Sequence, residues 1–365
     1  MATLSERSLL ELVRRAGTIS RADLTRASGL SVPGAKGLID GLVERGILTL
    51  GPAMTRGRGQ PSASVSLTAN HVYAIGLSIM VDGFSVVIMD LAGRVIGVQE
   101  VQSFPLELEF VERELTRLLP RMLSEQSIPW DRVFGVGLSM TGPLTGVGSR
   151  VNPPLSLGPA WAEVELDRYF SAALKLPVWI DNDANCAALA ELLFGIGHKV
   201  DDFVYLHFTD GFAAGLVVAG KVLRGANGNA GELGRLLAMT GLPRPSLEDL
   251  RQRLVSAGLA IPDLGSLLRR YEPSWPQIDE WIQDVRGSIT VAIAAATAML
   301  DPRAIVFGSR LPVDLAQRLS AAVEFEQHPR RGLSSPLPEL LVHSNLQHAA
   351  TIGAAALPFK AHYFA

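Results

Sequence analysis

Two short stretches concentrate the side chains that could do chemistry. VWIDNDANCAALAE (residues 178–191) runs from a strand pattern into a helical one, which sets Asn182 and Asp183 at a helix N-terminus. LRGANGNAGELGR (residues 223–235) is a glycine-rich loop that closes on Glu232 and Arg235. An ionised carboxylate accepts hydrogen bonds from a hydroxylated ligand, and it can also take a proton from one. A lone carboxylate is equally well explained by a helix cap or a surface ion pair, so each gains meaning only in company.

A third stretch points to another chemistry. Ser20 reads as a helix N-cap with Asp23 in a capping-box arrangement, and Gly29 as the stop of that helix. Ser31 caps a further helix that tolerates Pro33 in its first turn and gathers Leu38, Ile39, Leu42 and Val43 on one face. With an amphipathic helix over residues 5–16, this is the pattern of a helix-turn-helix, an unrelated three-helix bundle being the plainer alternative. ILTLGPAMTRGRGQPSASVSLT (residues 47–68) then reads as a winged hairpin. Its loop carries Arg56 and Arg58, which could enter a narrow A·T minor groove; a solvated linker is the alternative for that loop alone. Gly34, Gly37 and Gly41 fall in the second of these helices, each costing on the order of 1 kcal/mol relative to Ala. That helix is therefore expected to be partly formed until it docks, with direct base readout left to Ser31, Val32 and Lys36.

The elements that must position these groups follow from the rest of the chain. At 365 residues, two or more domains are expected. The balance of 48% hydrophobic and 19% charged residues is that of a globular protein. No apolar run is long enough to span a bilayer and no signal-peptide pattern opens the chain, so a cytoplasmic location is expected. The single Cys186 excludes an internal disulfide and any thiolate metal cluster, and reads as a buried small hydrophobe. Residues 1–60 hold nine Lys and Arg against five Asp and Glu, and the remainder 24 against 31. A basic amino-terminal module on an acidic body fits nucleic-acid contact through that module. From His71 onward, hairpin-linked strands, helices and further strands occur in one order and then again from residue 203, which points to a duplicated, actin-like architecture with a cleft between lobes.

With NGNAGELG downstream of the D-N-D-A-N run and the winged helix upstream, the chain resembles the ROK family (repressors, open reading frames and kinases), most of all its sugar-responsive transcription regulators. The resemblance covers essentially the whole chain. It implies an α/β protein: a winged helix-turn-helix (residues 1–70), then a two-lobed actin-like ATPase (ribonuclease H-like) sugar-kinase fold (residues 71–365), with the cleft near residues 180–235. Asp183 takes the place of the family's catalytic base, here vestigial. Glu232 and Asn152 correspond to sugar-binding positions, and Glu248 in PSLEDL to a further sugar carboxylate.

The departures from the family are as informative as the matches. Ser78 and Met80 in GLSIMVDG stand where kinase members have D-x-G-G-T, which holds Mg and phosphate. TDGFAAG (209–215) puts Thr209, Ala213 and Ala214 at glycine positions of the second phosphate loop, and adds the charge of Asp210. The nucleotide-side turn is GSR (308–310). Together these changes imply that ATP binding is lost, and no cofactor is expected. Arg235 replaces the His of the family's zinc element and no cysteines follow, so no metal is expected and residues 236–247 must be held by packing. Arg235 either faces the sugar, favouring an acidic or heavily hydroxylated ligand, or pairs with a nearby carboxylate.

Three functions compete. The leading one is a non-enzymatic, sugar-responsive repressor that binds operator DNA as a homodimer or homotetramer. The others are an active sugar kinase with an accessory DNA-binding domain, and a ligand-blind DNA-binding protein whose body only dimerises.

Overall fold

Residues 2–54, 61–325, 331, 333–342 and 348–365 are described in this computed structural model. The amino-terminal module contains α1 (Leu4–Ala16), β1 (Thr18–Ser20), α2 (Arg21–Ala27), α3 (Val32–Glu44), β2 (Leu48–Met54) and β3 (Ser62–Leu67). The strands form a small sheet in the order β1-β3-β2, with a register irregularity between Gly51 and Ala53. Arg56 and Arg58 lie outside the described residues.

Two expectations for this module change. A reciprocal capping box forms at α1, where Thr3 and Glu6 each accept the other's backbone N–H. At α2 only half of one exists: Ser20 accepts the Asp23 N–H, while the Asp23 carboxylate turns to the Ser20 hydroxyl. More consequentially, α3 is a continuous helix of 13 residues despite its three glycines. Ser31 caps it through the Gly34 N–H, and Ala35, Ile39 and Leu42 are fully buried. Burying a side chain such as Ile39 or Leu42 is worth about 1.5–3 kcal/mol, which offsets the glycine cost. The glycines instead leave a bare outer face: a Cβ at Gly37 or Gly41 would meet nothing within 4 Å.

The body consists of two lobes with the same strand order. The first has β4 (Tyr73–Met80), β5 (Gly83–Asp90), β6 (Val95–Gln102), α4 (Leu108–Glu125), β7 (Val133–Met140), α5 (Ala160–Glu163), α6 (Leu166–Leu174) and β8 (Val178–Asn182). Next comes α7 (Asp183–Phe194). The second lobe has β9 (Phe203–Phe208), β10 (Phe212–Val218), β11 (Lys221–Val222), α8 (Leu233–Thr240), α9 (Leu247–Ser256), α10 (Leu264–Arg270), α11 (Pro276–Leu300), β12 (Ala304–Ser309), α12 (Val313–Ala321) and β13 (Glu339–Val342). The chain returns to the first lobe with α13 (Ala349–His362). The sheets run β6-β5-β4-β7-β8 and β11-β10-β9-β12-β13. In each, three antiparallel meander strands are followed by two parallel ones.

Small residues let α7 and α13 sit back to back between the sheets. A Cβ on Gly353 would fall 1.7 Å from the Cys186 carbonyl, and one on Gly137 1.7 Å from that of Ala354. Glycine is thus required at both crossings. Cys186 is fully buried there, and burial pushes its thiol pKa up.

The amino-terminal module shares a hydrophobic core with this helix pair. Polar contacts fasten it there as well. Arg7 donates to the carbonyls of Lys360 and Phe364, and Arg14 donates to the Leu193 carbonyl at 2.7 Å. No helix among the described residues is long and apolar enough to cross a membrane.

Candidate functional site

The junction of β8 and α7 organises the cleft. Asn182 adopts extended backbone geometry and caps α7 by accepting the Ala184 N–H at 2.8 Å. Asp183 follows with its side chain almost buried, and Asp181 before it points the opposite way. There Asp181 accepts from Asn185 (2.9 Å) and from Arg224 (2.6 Å). The Arg224 contact ties the glycine-rich loop to the helix start. Asn229 of the same loop exchanges two 2.8 Å hydrogen bonds with the Leu144 backbone of the first lobe. The two stretches singled out in the sequence are therefore clasped together by residues that carry no obvious site chemistry.

A cleft of about 580 Å³ opens beside this junction, and Asn152, Asn182, Asp183, Glu232, Arg235 and Glu248 all line it. They are not equally available. The Asn182 carbonyl oxygen is occupied by the cap, and its amide reaches the Gly142 carbonyl at 3.5 Å. Both Glu248 oxygens take Arg251, at 2.7 and 2.8 Å, and Gln252 donates as well. Burial alone would push the Glu248 pKa up, but these hydrogen bonds bring it below the usual value. Glu232 is raised, first by burial and then by the nearby Asp183 charge. Arg235 lines the cleft exposed, and no ion pair to it is found among the described residues.

Residues 236–247, which lack the family's cysteines, are held by their own contacts. Leu237 and Leu247 are buried, the Ser288 hydroxyl bonds to the Pro243 carbonyl, and the Leu247 N–H reaches the Thr209 carbonyl at 2.7 Å.

Four residues of the cleft were not anticipated as parts of it. His207 is buried with Nε2 3.3 Å from Asp183 Oδ2, yet neither ring nitrogen has a hydrogen-bond partner among the described residues. A polar residue in the apolar run VYLHF was its only signal. Arg244 and Arg251 belong to the loop and helix that replace the zinc element, where family order gives no guide. Asp210, expected only as extra charge near phosphate, is pushed up to about 6 by burial and by Asp183.

Behind Asp183 a second cavity of about 490 Å³ is lined by Ser78, Met80, Ser85 and Arg310, and it shares Asp183, His207 and Asp210 with the first. Several of its other groups are spent on one another. Ser78 donates to Ser139 at 3.4 Å, and the hydroxyls of Ser85 and Thr351 are hydrogen-bonded. In the altered phosphate loop the Thr209 N–H goes to Gly211 and that of Ala214 to the Gly231 carbonyl at 2.8 Å. Arg310 of the second lobe forms a two-pronged pair with nearly buried Asp82 of the first, at 2.8 and 3.0 Å. A triphosphate needs free N–H donors and unpaired cations. The Thr209 and Ala214 N–H groups and the Arg310 guanidinium are therefore not free for a triphosphate in this arrangement.

Comparison with known proteins adds the family. The sequence profile of the ROK family matches residues 74–245. An uncharacterised protein of Sinorhizobium fredii, y4fQ, is 30% identical over 99% of this chain and 92% of its own length. A xylose repressor of Bacillus spizizenii is 24% identical over 64% of this chain, which spans 60% of that repressor. The Escherichia coli DNA-binding transcriptional dual regulator NagC is 21% identical over 98% of this chain and 93% of its own. Among solved structures, a ROK family transcriptional regulator, a homologue of the E. coli MLC protein, superposes with a TM-score of 0.71. That match is 21% identical and covers 97% of this chain and 94% of that one. A ROK hexokinase of Thermus thermophilus gives 0.57 at 23% identity, covering 78% of this chain and 97% of its own. The regulator thus matches the amino-terminal module as well as the body, whereas the kinase accounts for about the body alone.

Proposed function

The chain belongs to the ROK family, and from that premise we propose that it is a sugar-responsive DNA-binding transcriptional regulator, acting as a repressor, whose kinase-like body senses its effector without phosphorylating it. One observation carries this reading. The helix α7 begins at Asp183 in the cleft and ends where the Leu193 carbonyl accepts Arg14 of the amino-terminal module. Twelve residues of helix, about 18 Å at 1.5 Å per residue, join a hydroxyl-binding pole directly to the DNA-binding unit.

The effector lies between the lobes against Asn152, Asp183 and Glu232, and its binding moves α7 relative to α1. DNA is held by α3, where Ser31, Val32 and Lys36 are exposed, and by the wing arginines. Ser31 contributes less than the other two, because its hydroxyl is already the helix cap. Two copies reading two half-sites make an even-numbered homo-oligomer the working form. The active-kinase reading shares the body fold but lacks a usable phosphate site.

The test is a gel-shift series with operator DNA and effector. Glu232→Ala should abolish release by effector while ligand-free DNA affinity stays within about twofold, since linkage requires a differential affinity of typically 1–3 kcal/mol between states. Calorimetric titration with Mg-ATP should give no binding. Sugar-phosphate formation, or a full effector response in Glu232→Ala, would overturn the reading.

A further inference from the structure

The charges around the cleft leave a remainder that points to the kind of ligand. Among its acids, Asp82 is taken by Arg310, Glu248 by Arg251, and Asp263 caps α10 through the Ser266 N–H at 2.6 Å. Asp210 and Glu232 crowd against Asp183, whose oxygens meet the Ala184 N–H and His207, to form one acidic pole. On the facing charge, Arg251 is spent, but Arg235 and Arg244 have no ion-pair or hydrogen-bond partner for their guanidinium groups among the described residues.

These two arginines belong to one wall. A Cβ at Gly234, the neighbour of Arg235, would lie 3.7 Å from Arg244 Nε, so the Arg244 side chain crosses over that glycine. Their backbone is fixed. The Ser246 N–H bonds to the Arg244 carbonyl at 2.8 Å, and Ser288 holds the preceding Pro243. Both charges lie near enough to Glu232 to pull its carboxyl down against the effect of burial, yet neither guanidinium is hydrogen-bonded among the described residues, and each fork matches a planar or tetrahedral oxyanion in a two-pronged fashion. The buried His207 also lines the cleft, with Nε2 3.3 Å from Asp183 Oδ2 and neither ring nitrogen hydrogen-bonded among the described residues, so the ring can donate to or accept from a hydroxyl.

We propose that the effector is a hydroxylated acid: its hydroxyls meet Asp183, Glu232 and His207, and its single anionic group, carboxylate or phosphate, sits between Arg235 and Arg244. This rests on the sensor reading above and names the ligand class for that site.

Matched probes test it by calorimetry on the full-length protein: glucose against gluconate, glucuronate and glucose 6-phosphate, and xylose against xylonate. At least one acid should bind tenfold or more tightly than its neutral partner, with the advantage falling as salt rises. The carboxylate and phosphate arms tell which anion is preferred. Arg235→Gln with Arg244→Gln, both at exposed positions, should erase the acid advantage without lowering the melting temperature. A neutral sugar binding as tightly as its acids, or an acid advantage that survives the double substitution, overturns the proposal and leaves the sensor reading standing. Binding of no probe, neutral or acidic, overturns both.

Discussion

The two faces of Asp183 have had opposite histories on one scaffold. On the proposed effector side, the Glu232 side chain has no hydrogen-bond or ion-pair partner among the described residues, and Asp183 meets only the Ala184 N–H and His207. On the other side, beyond the Asp183, His207 and Asp210 that line both cavities, groups are committed to one another: hydroxyl to hydroxyl, loop N–H to loop carbonyl, and Arg310 to Asp82 across the lobes. A binding surface is kept by leaving polar groups unpaired at a cost of about 1–3 kcal/mol each when buried. Where no ligand needs them, self-pairing recovers that cost. On the sensor reading proposed above, the distribution of unpaired groups therefore marks the half of the cleft that meets a ligand.

The largest effect should come from breaking the self-paired side. Arg310→Ala would leave the nearly buried Asp82 carboxylate without its partner, and chemical denaturation should reveal a loss on the order of 3 kcal/mol. Asp82→Asn in the same chain should recover most of it. A loss below about 1 kcal/mol, the scale of an exposed pair, would mean the lobes are not held there and the comparison loses its main support.

Next in size is the contrast between the two faces themselves. Asp183→Asn should weaken the strongest-binding sugar or sugar acid about 10- to 100-fold, the range of a hydrogen bond to a charged group. Ser78→Ala, on the other face, should change it less than about twofold. Equal losses in calorimetry would show that one ligand occupies both cavities.

Asp210 stands where the faces meet and sharpens the picture through pH. Its folded pKa of about 6 lies above the usual carboxylate value of 3.8, so the folded state holds the proton more tightly. The penalty is absent below about pH 4, grows as pH rises through about 6, and is complete above it. Asp210→Asn should therefore stabilise the protein at pH 8 by on the order of 2 kcal/mol and by nothing at pH 4. Thermal melts across that window check the sign, and a gain that persists at pH 4 would assign the effect to something other than its charge.

The smallest effect tests whether the wing is independent of both faces. Arg58→Ala should reduce the salt slope of DNA binding by about one unit, as expected for one lost phosphate contact, and leave effector affinity unchanged. An unchanged slope in a salt-dependent gel-shift series would remove the wing from the DNA contact.

Much of this molecule was legible because it is local. Caps at Ser20, Ser31 and Asn182, the antiparallel pairing of β2 with β3, and the strand-to-helix junction at Asp183 depend on neighbours close in the chain, where spacing and propensity act directly. The glycines of α3 misled because propensity is a weak term, overruled by burial of Ile39 and Leu42 against the other helices. The replacement of glycine by Thr209, Ala213 and Ala214 could likewise be read directly, since it is a matter of residue type alone.

What replaced them was not visible. Arg310 meets Asp82 from 228 positions away, and Arg14 meets Leu193 from 179. Neither pairing has a local signature, and an arginine or aspartate in isolation fits a solvated surface as well as a cleft. His207, Arg244 and Arg251 entered the site only because β9, the loop before α9 and α9 itself converge on the start of α7. The sequence by itself determined the types of element, the place of Asp183 at a helix start and the residues that stand for glycine in the phosphate loops, all matters of short range. Only the tertiary structure decided which charges cancel and which stay open, because Coulomb and hydrogen-bond partners are chosen by distance in space.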